Sequence, residues 1–191
     1  MPDLAWLFVL APAYGLYELV LAWRKRAARV DPRARSADAG SLVHIWLTVG
    51  LGIAATAAAM LFLPAWYGPE LHAARWLGLS SFCLGIAVRT WAIVALGRLF
   101  TVDVAILEGH RLVVTGPYRW LRHPSYSGVM AAVLGLGILS GHLLALACIT
   151  TTALFALVRR IRVEERALAE AFGPAWEAHR ARTWNLVPFL W

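Results

Sequence analysis

Gly116-Pro117-Tyr118-Arg119-Trp120-Leu121-Arg122-His123-Pro124-Ser125-Tyr126-Ser127-Gly128 is a polar, cationic stretch that runs straight into an apolar segment of membrane-spanning character. Pro117 and Pro124 rule out one continuous helix through it, since proline removes a backbone donor and disfavours helix in the residue before it. Arg119, Arg122 and His123 gather with the phenols of Tyr118 and Tyr126 at the mouth of a hydrophobic hairpin. Such a loop at a bilayer surface is costly unless it holds something charged. It is the candidate active site.

The rest of the chain sets that loop in a membrane. Of its 191 residues 60% are hydrophobic, 15% are charged and ten are tryptophan. The mean hydropathy of +0.64 is far above that of a soluble domain of 21.0 kDa. About 20 helical residues cross a hydrocarbon core of roughly 30 Å. Residues 4–23, 42–63 and 76–96 each meet that length. Residues 126–140 and 143–158 are shorter and flank Gly141-His142, so they read as the two arms of a tight helical hairpin whose small residues suit close packing in lipid. The expected fold is all-α and integral to the membrane, with about five transmembrane helices, a C-terminal hairpin and a cytoplasmic pocket. We read 1–191 as one membrane domain, with two N-terminal spans in 1–75 and a catalytic core in 76–191.

The first segment lacks a basic n-region and precedes Arg24-Lys25-Arg26, as a retained span would and a cleaved signal peptide would not. Cys83 and Cys148 both fall in apolar spans and read as small packing residues. There is no CxxC and no His/Cys cluster at ligand spacing, so no metal site is expected.

Orientation follows from the cations. Six of the 18 Lys and Arg lie in 24–41, four in 97–125 and six from 159 onward. A five-span arrangement with the N-terminus outside puts all three groups in the cytoplasm. The net charge of +7 is then a topology signal and an attraction to anionic membrane lipids. Nucleic-acid binding is a poor reading, because the basic groups flank spans and form no soluble module.

Residues 27–40 are polar, include Pro32 and read as a loop or interfacial segment. Arg89 and Glu18 sit in apolar spans, where each either faces a partner or cavity or snorkels to the interface. From 143 to 172 neither Pro nor Gly occurs, which allows a helix of roughly 45 Å at 1.5 Å per residue. That is longer than the bilayer is thick, so 159–172 should project into the cytoplasm. Gly173-Pro174 stops it and starts a short helix over 174–182. The aromatic end, 183–191, should lie along the interface or plug against the hairpin. On the projecting helix Arg160 and Glu164 are four apart and share a face, which is an ordinary ion pair on most helices. Here the helix emerges beside the hairpin arm that starts at Tyr126, so Glu164 and Glu165 come within reach of His123 and Tyr126.

These segments together resemble the isoprenylcysteine carboxyl methyltransferase family. The likeness is carried by Leu96-Gly97-Arg98-Leu99-Phe100-Thr101, Gly109-His110-Arg111-Leu112-Val113, Gly116-Pro117-Tyr118-Arg119 and Arg122-His123-Pro124-Ser125-Tyr126-Ser127-Gly128. Glu164-Glu165, Phe172-Gly173, Trp176, Thr183-Trp184 and Pro188-Phe189 extend it. It covers about residues 89–189, in order and at matching spacing. The resemblance implies an integral membrane enzyme that uses S-adenosylmethionine in a cytoplasm-facing pocket and takes a lipophilic acceptor sideways from the bilayer. Carried over by position, it makes His110, Arg111, Leu112, Val113, Tyr118, His123, Pro124, Ser125, Tyr126 and Glu164 the cofactor-binding residues. It makes Arg160 the substrate-interacting arginine. Arg160 and His123 are the expected catalytic residues, with His123 or Glu164 the first suspects for a base where the acceptor is a phenol, amine or thiol. His179 stands where many relatives carry Tyr, and Asp103 takes a position that is polar but different in them. The implied reaction is O-methylation of an isoprenylcysteine-like carboxylate. A phospholipid amine, a thiol or a phenolic lipid are the other acceptor classes.

Membrane reductases of the sterol-reductase type, which use NADPH, carry a similar RHPxY-like motif. They typically have Asn at the Ser125 position and an acidic residue after the Gly128 position, where this chain has Ser125 and Val129. Transport is disfavoured by the absence of inverted repeats and by polar groups that cluster at one surface rather than the midplane.

Overall fold

The structure is a computed structural model that describes residues 5–31, 34–63 and 72–188. The connection 64–71 and the last three residues of the aromatic end lie outside the described residues, as does the start of the predicted first span. In chain order the elements are α1 (Ala5–Arg24), α2 (Ala27–Val30), β1 (Arg35–Ser36), α3 (Ser41–Phe62), α4 (His72–Leu96), β2 (Ala105–Ile106), α5 (Pro124–Leu139), α6 (Leu143–Phe172) and α7 (Pro174–Arg180). Short 3₁₀ turns occupy Gly97–Leu99 and Gly116–Arg119. Among the described residues a helix occupies each of the five predicted segments, to within a residue at the ends. Among the described residues three are long and apolar enough to cross a membrane: Ser41–Phe62, Ala73–Leu99 and Leu143–Phe172, with Pro124–Leu139 as a shorter apolar helix.

Glycine decides how closely α4 and α5 pack. A Cβ added at Gly128 would lie 2.6 Å from the Arg89 nitrogen and the Gly85 carbonyl oxygen. One added at Gly135 would lie 2.5 Å from the Phe82 nitrogen and 2.6 Å from the Gly78 oxygen. Small residues let two backbones touch where lipid supplies no hydrophobic drive between helices. On the outer surfaces Leu51 and Phe62 of α3, Val94 of α4 and Phe155 of α6 are exposed, as an apolar belt in contact with lipid requires. Cys83 also lies on an exposed face of α4 rather than in a packed interior.

The α5–α6 turn falls at Gly141, whose φ of 64° suits a residue without Cβ. The His142 imidazole accepts from the Ala145 amide at 3.2 Å and caps α6. Helix α6 runs unbroken for 30 residues, as its lack of Pro and Gly predicts. Gly173 ends it with φ 48°, and α7 follows, two residues shorter at its C-terminus than the sequence suggests.

The segment after α1 is mostly loop, interrupted by α2 and β1. It folds onto the 97–113 region. The Val102 amide donates to the Lys25 carbonyl at 2.8 Å, the Ala27 amide to the Asp103 carboxylate at 2.7 Å, and the Ala37 amide to the Val104 carbonyl at 2.9 Å. β1 pairs antiparallel with β2, Arg35 opposite Ile106 and Ser36 opposite Ala105. This two-residue pairing is an addition to the all-α expectation. Ala27, Leu99, Ala105 and Leu107 form a small buried cluster beneath it. A stretch with too few apolar residues to fold alone is thus fixed by backbone hydrogen bonds to a distant loop, which local composition does not reveal.

Candidate active site

One pocket opens where the 97–123 loop, the start of α5, the far half of α6 and α7 meet. The sequence-predicted residues His110, Arg111, Leu112, Val113, Tyr118, His123, Ser125, Tyr126, Arg160 and Glu164 all line it. Pro124 does not reach the wall. It is fully buried in the first turn of α5, where a residue without N–H costs nothing. Phe100, Leu168, Trp176 and His179 complete the aromatic and apolar part of the lining.

The polar floor is a connected network. The Tyr126 hydroxyl donates to Glu164 Oε2 at 2.6 Å and accepts from Arg160 Nε at 3.2 Å. His123 stacks on Tyr126 with ring centroids 5.6 Å apart. Its Nδ1 lies 3.9 Å from Glu164 and its Nε2 3.4 Å from Glu165. Glu165 also receives Arg122 Nε at 2.8 Å. Both acidic residues expected near His123 and Tyr126 are there.

The ordinary Arg160–Glu164 ion pair that their spacing allows on most helices does not form, and Arg160 takes other partners. Arg160 is only 2% exposed, and its Nη1 donates to Asp38 and Ser41 while Nη2 donates to the Val102 carbonyl. Helical spacing brings two side chains to one face, but a buried guanidinium takes whatever acceptors the tertiary fold offers. Burial raises the Asp38 carboxyl, but the Leu42 and Val104 amides, Arg160 and Ser41 outweigh it and hold Asp38 below the usual carboxylate value. Asp38 was not singled out in the sequence. Its position just before Ser41 reads locally as a helix cap, and nothing local announces a partner 122 residues away.

Arg89 and Glu18 resolve as partners: Nη2 of Arg89 meets Glu18 at 2.6 Å, and Nη1 donates to Ser125 Oγ at 2.8 Å. Thus α1 supports the pocket wall at Ser125. Behind the wall, the tail runs beside the loop. The amides of Arg122 and His123 donate to the carbonyls of Trp184 at 2.8 Å and Asn185 at 3.2 Å. Arg122 Nη1 adds a bond to the Thr183 carbonyl. The described part of the aromatic end therefore braces the loop. Burial depresses the His110 imidazole against a partial pull from Glu164. It depresses His179 too, with Arg122 and His123 adding to the effect. The Tyr118 phenol is held well above its ordinary value by burial, then by Glu164 and Tyr126. Among the described residues no group of three His, Cys, Asp or Glu is arranged to hold a metal ion.

A membrane-embedded helical fold with a mixed acidic and basic pocket at one end defines the class. The profile of the isoprenylcysteine carboxyl methyltransferase family matches residues 76–170, and through this segment the chain belongs to that family. YpbQ, an uncharacterised protein of Bacillus subtilis, is 32% identical over 96 residues, covering 50% of this chain and 57% of its own length. The protein-S-isoprenylcysteine O-methyltransferase of Schizosaccharomyces pombe is 34% identical, covering 59% of this chain and 48% of its own. Protein-S-isoprenylcysteine O-methyltransferase B of Arabidopsis thaliana is 31% identical and covers 64% of each chain. The chain thus spans between 48% and 64% of the length of these relatives. The structure of the eukaryotic intramembrane Ras methyltransferase ICMT matches all of this chain and 68% of its own, with TM-score 0.70 and 23% identity. The two share a fold.

Proposed function

We propose that this chain is an integral membrane methyltransferase that moves a methyl group from S-adenosylmethionine to the carboxylate of an isoprenylcysteine-like lipid. The observation that carries the reading is the convergence of ten residues from the loop, α5 and α6 on a single pocket. The residues present suit that cofactor. Glu164 lines the pocket with only the neutral Tyr126 hydroxyl donating to it, which leaves its negative charge for a cationic sulfonium, while Glu165 beside it is matched by Arg122. Arg111 offers a cation to an amino-acid carboxylate at the same pocket. The Tyr118, Trp176 and Phe100 side chains supply aromatic surface.

Bound there, S-adenosylmethionine would supply an electrophilic methyl group. The chain's own part is placement. A carboxylate acceptor is already ionised at neutral pH, since its unperturbed pKa is about 4, and needs no base. Arg160 orients the acceptor carboxylate, and the apolar lining keeps water from the reacting pair. His123, held between Glu164 and Glu165, keeps the Tyr126 ring in place, and His123 or Glu164 would serve as a base only for an amine, thiol or phenol acceptor. In this reading five helices span the bilayer, the N-terminus is outside, the pocket is cytoplasmic and the acceptor arrives through the lipid.

Calorimetry on the detergent-purified protein tests the cofactor. S-adenosylmethionine or its demethylated product should bind and NADPH should not. Labelled methyl transfer to N-acetyl-S-farnesylcysteine should follow. Binding of NADPH alone would replace this reading with a reductase.

A further inference from the structure

Asp38 lies outside the 76–170 segment that carries the family match, in the connection that leads into α3. Its carboxylate accepts from the Leu42 amide at 3.0 Å, the Val104 amide at 3.1 Å, the Ser41 hydroxyl at 3.0 Å and Arg160 Nη1. Ser41, itself fully buried, also accepts from Nη1. The Val102 carbonyl takes Nη2, and the Tyr126 hydroxyl takes Nε. A guanidinium carries five N–H donors. Four of those on Arg160 are therefore engaged, which leaves one on Nη2. A free arginine samples many rotamers, whereas this one is fixed in plane and direction at the pocket wall.

We propose that Asp38 is the positioning residue for Arg160, setting its guanidinium so that the remaining Nη2 N–H meets the acceptor carboxylate. The inference rests on the methyl-transfer reading above and extends the acceptor site into the N-terminal part of the chain. Because Asp38 offsets the charge of Arg160, recognition depends on a directed hydrogen bond more than on net positive charge. Only an acid suits position 38, since all four of its partners are donors. Asparagine would turn an NH₂ toward one of them, while glutamate keeps the charge but displaces it.

The test compares wild type with Asp38→Asn, Asp38→Glu and Asp31→Asn, all full length and in detergent. Asp31 is the control: it accepts from the Glu108 amide at 2.7 Å and so ties the same segment to the same loop. Each protein is measured for melting temperature, for affinity to S-adenosylhomocysteine, and for affinity to N-acetyl-S-farnesylcysteine against its methyl ester. Wild type should prefer the acid over the ester by about tenfold or more, the effect of one charge-assisted hydrogen bond. Asp38→Asn should bring that ratio close to one while binding S-adenosylhomocysteine within about twofold of wild type, and Asp38→Glu should recover part of the preference. Asp31→Asn should lower the melting temperature and keep the ratio. An unchanged ratio in Asp38→Asn, or an equal loss in Asp31→Asn, overturns the proposal. Should Asp38→Asn fail to fold, Asp38→Glu decides, and a wild-type ratio there overturns it. A wild type that binds S-adenosylhomocysteine without preferring the acid also overturns it, and leaves the cofactor reading standing. A wild type that binds no S-adenosylhomocysteine brings down both.

Discussion

His110 and His179 make the pocket sensitive to acid. Both line it, and burial lowers both imidazoles below their ordinary value of 6.5. His110 Nδ1 accepts the Leu107 amide at 3.3 Å, which assigns the neutral ring's proton to Nε2. Protonating Nδ1 forfeits that bond and puts a cation beside Glu164. Because the folded values are depressed, the stability these groups contribute is present above about pH 6.5 and is lost as pH falls through the folded values. Affinity for a cationic cofactor should therefore be flat from pH 7 to 8 and fall below about 6.5, as titration calorimetry across pH would show. His110→Gln should flatten part of that decline, and an unchanged profile would remove His110 from the pH response. Glu164→Gln should weaken cofactor binding by roughly 10- to 150-fold, the loss of a charge-assisted hydrogen bond worth about 1.5–3 kcal/mol. Cofactor affinity measured beside a melting curve separates that loss from unfolding. Resemblance made His110 to Val113, Tyr118 and Tyr126 legible before any coordinates, because the motif fixes their order. Asp38 was not legible, since its meaning depends on a partner on α6.

The α4–α5 crossing fixes where the loop between these helices begins and ends, so its tolerance for side chains bears on the pocket. Gly135→Leu should lower the melting temperature markedly, because even the first added carbon would sit 2.6 Å from the Gly78 carbonyl oxygen. Overpacking of this kind costs about 1–3 kcal/mol, and more where two backbones must separate. Gly50→Ala on α3 is the matched control, with nothing within 4 Å of its added Cβ, and should leave the melting temperature nearly unchanged. Equal shifts in the two variants would mean that α4 and α5 do not pack at these glycines. The helices themselves were readable because their signals are local: apolar length, the Gly141 turn, the absence of Pro and Gly through α6, and the Gly173-Pro174 stop. The docking of 24–41 on the 97–113 loop was not, because each of its bonds has a backbone group on at least one side and spans a long separation. Arg89 and Glu18 lie between these cases. Each was visible as a costly charge in an apolar span, and only their juxtaposition identified the partner.

The three basic segments, which charge counting alone puts on one side of a membrane, are also in contact with one another. Lys25 accepts the Val102 amide through its carbonyl, and Arg122 reaches the carbonyls of Arg180 and Thr183. The segments 24–41, 97–125 and the tail therefore belong to one end of the helical bundle, the end that holds the pocket. Helix α1 reaches that end at Arg24, and the α5–α6 turn at Gly141 lies between helices that lead away from it. Sixteen of the 18 cations fall in the three segments, and by the positive-inside bias we propose that this end faces the cytoplasm. In a background where Cys83 and Cys148 are replaced by Ser, single cysteines at Ser36, Arg119 and Leu143 report the arrangement. Leu143 is 59% exposed beside the turn. In sealed right-side-out vesicles an impermeant maleimide should label position 143 and spare positions 36 and 119 until detergent is added. Labelling of 36 and 119 with protection of 143 would invert the protein and place the pocket outside. Labelling of 36 without 119 would separate two segments that are hydrogen-bonded here, and so contradict the fold itself.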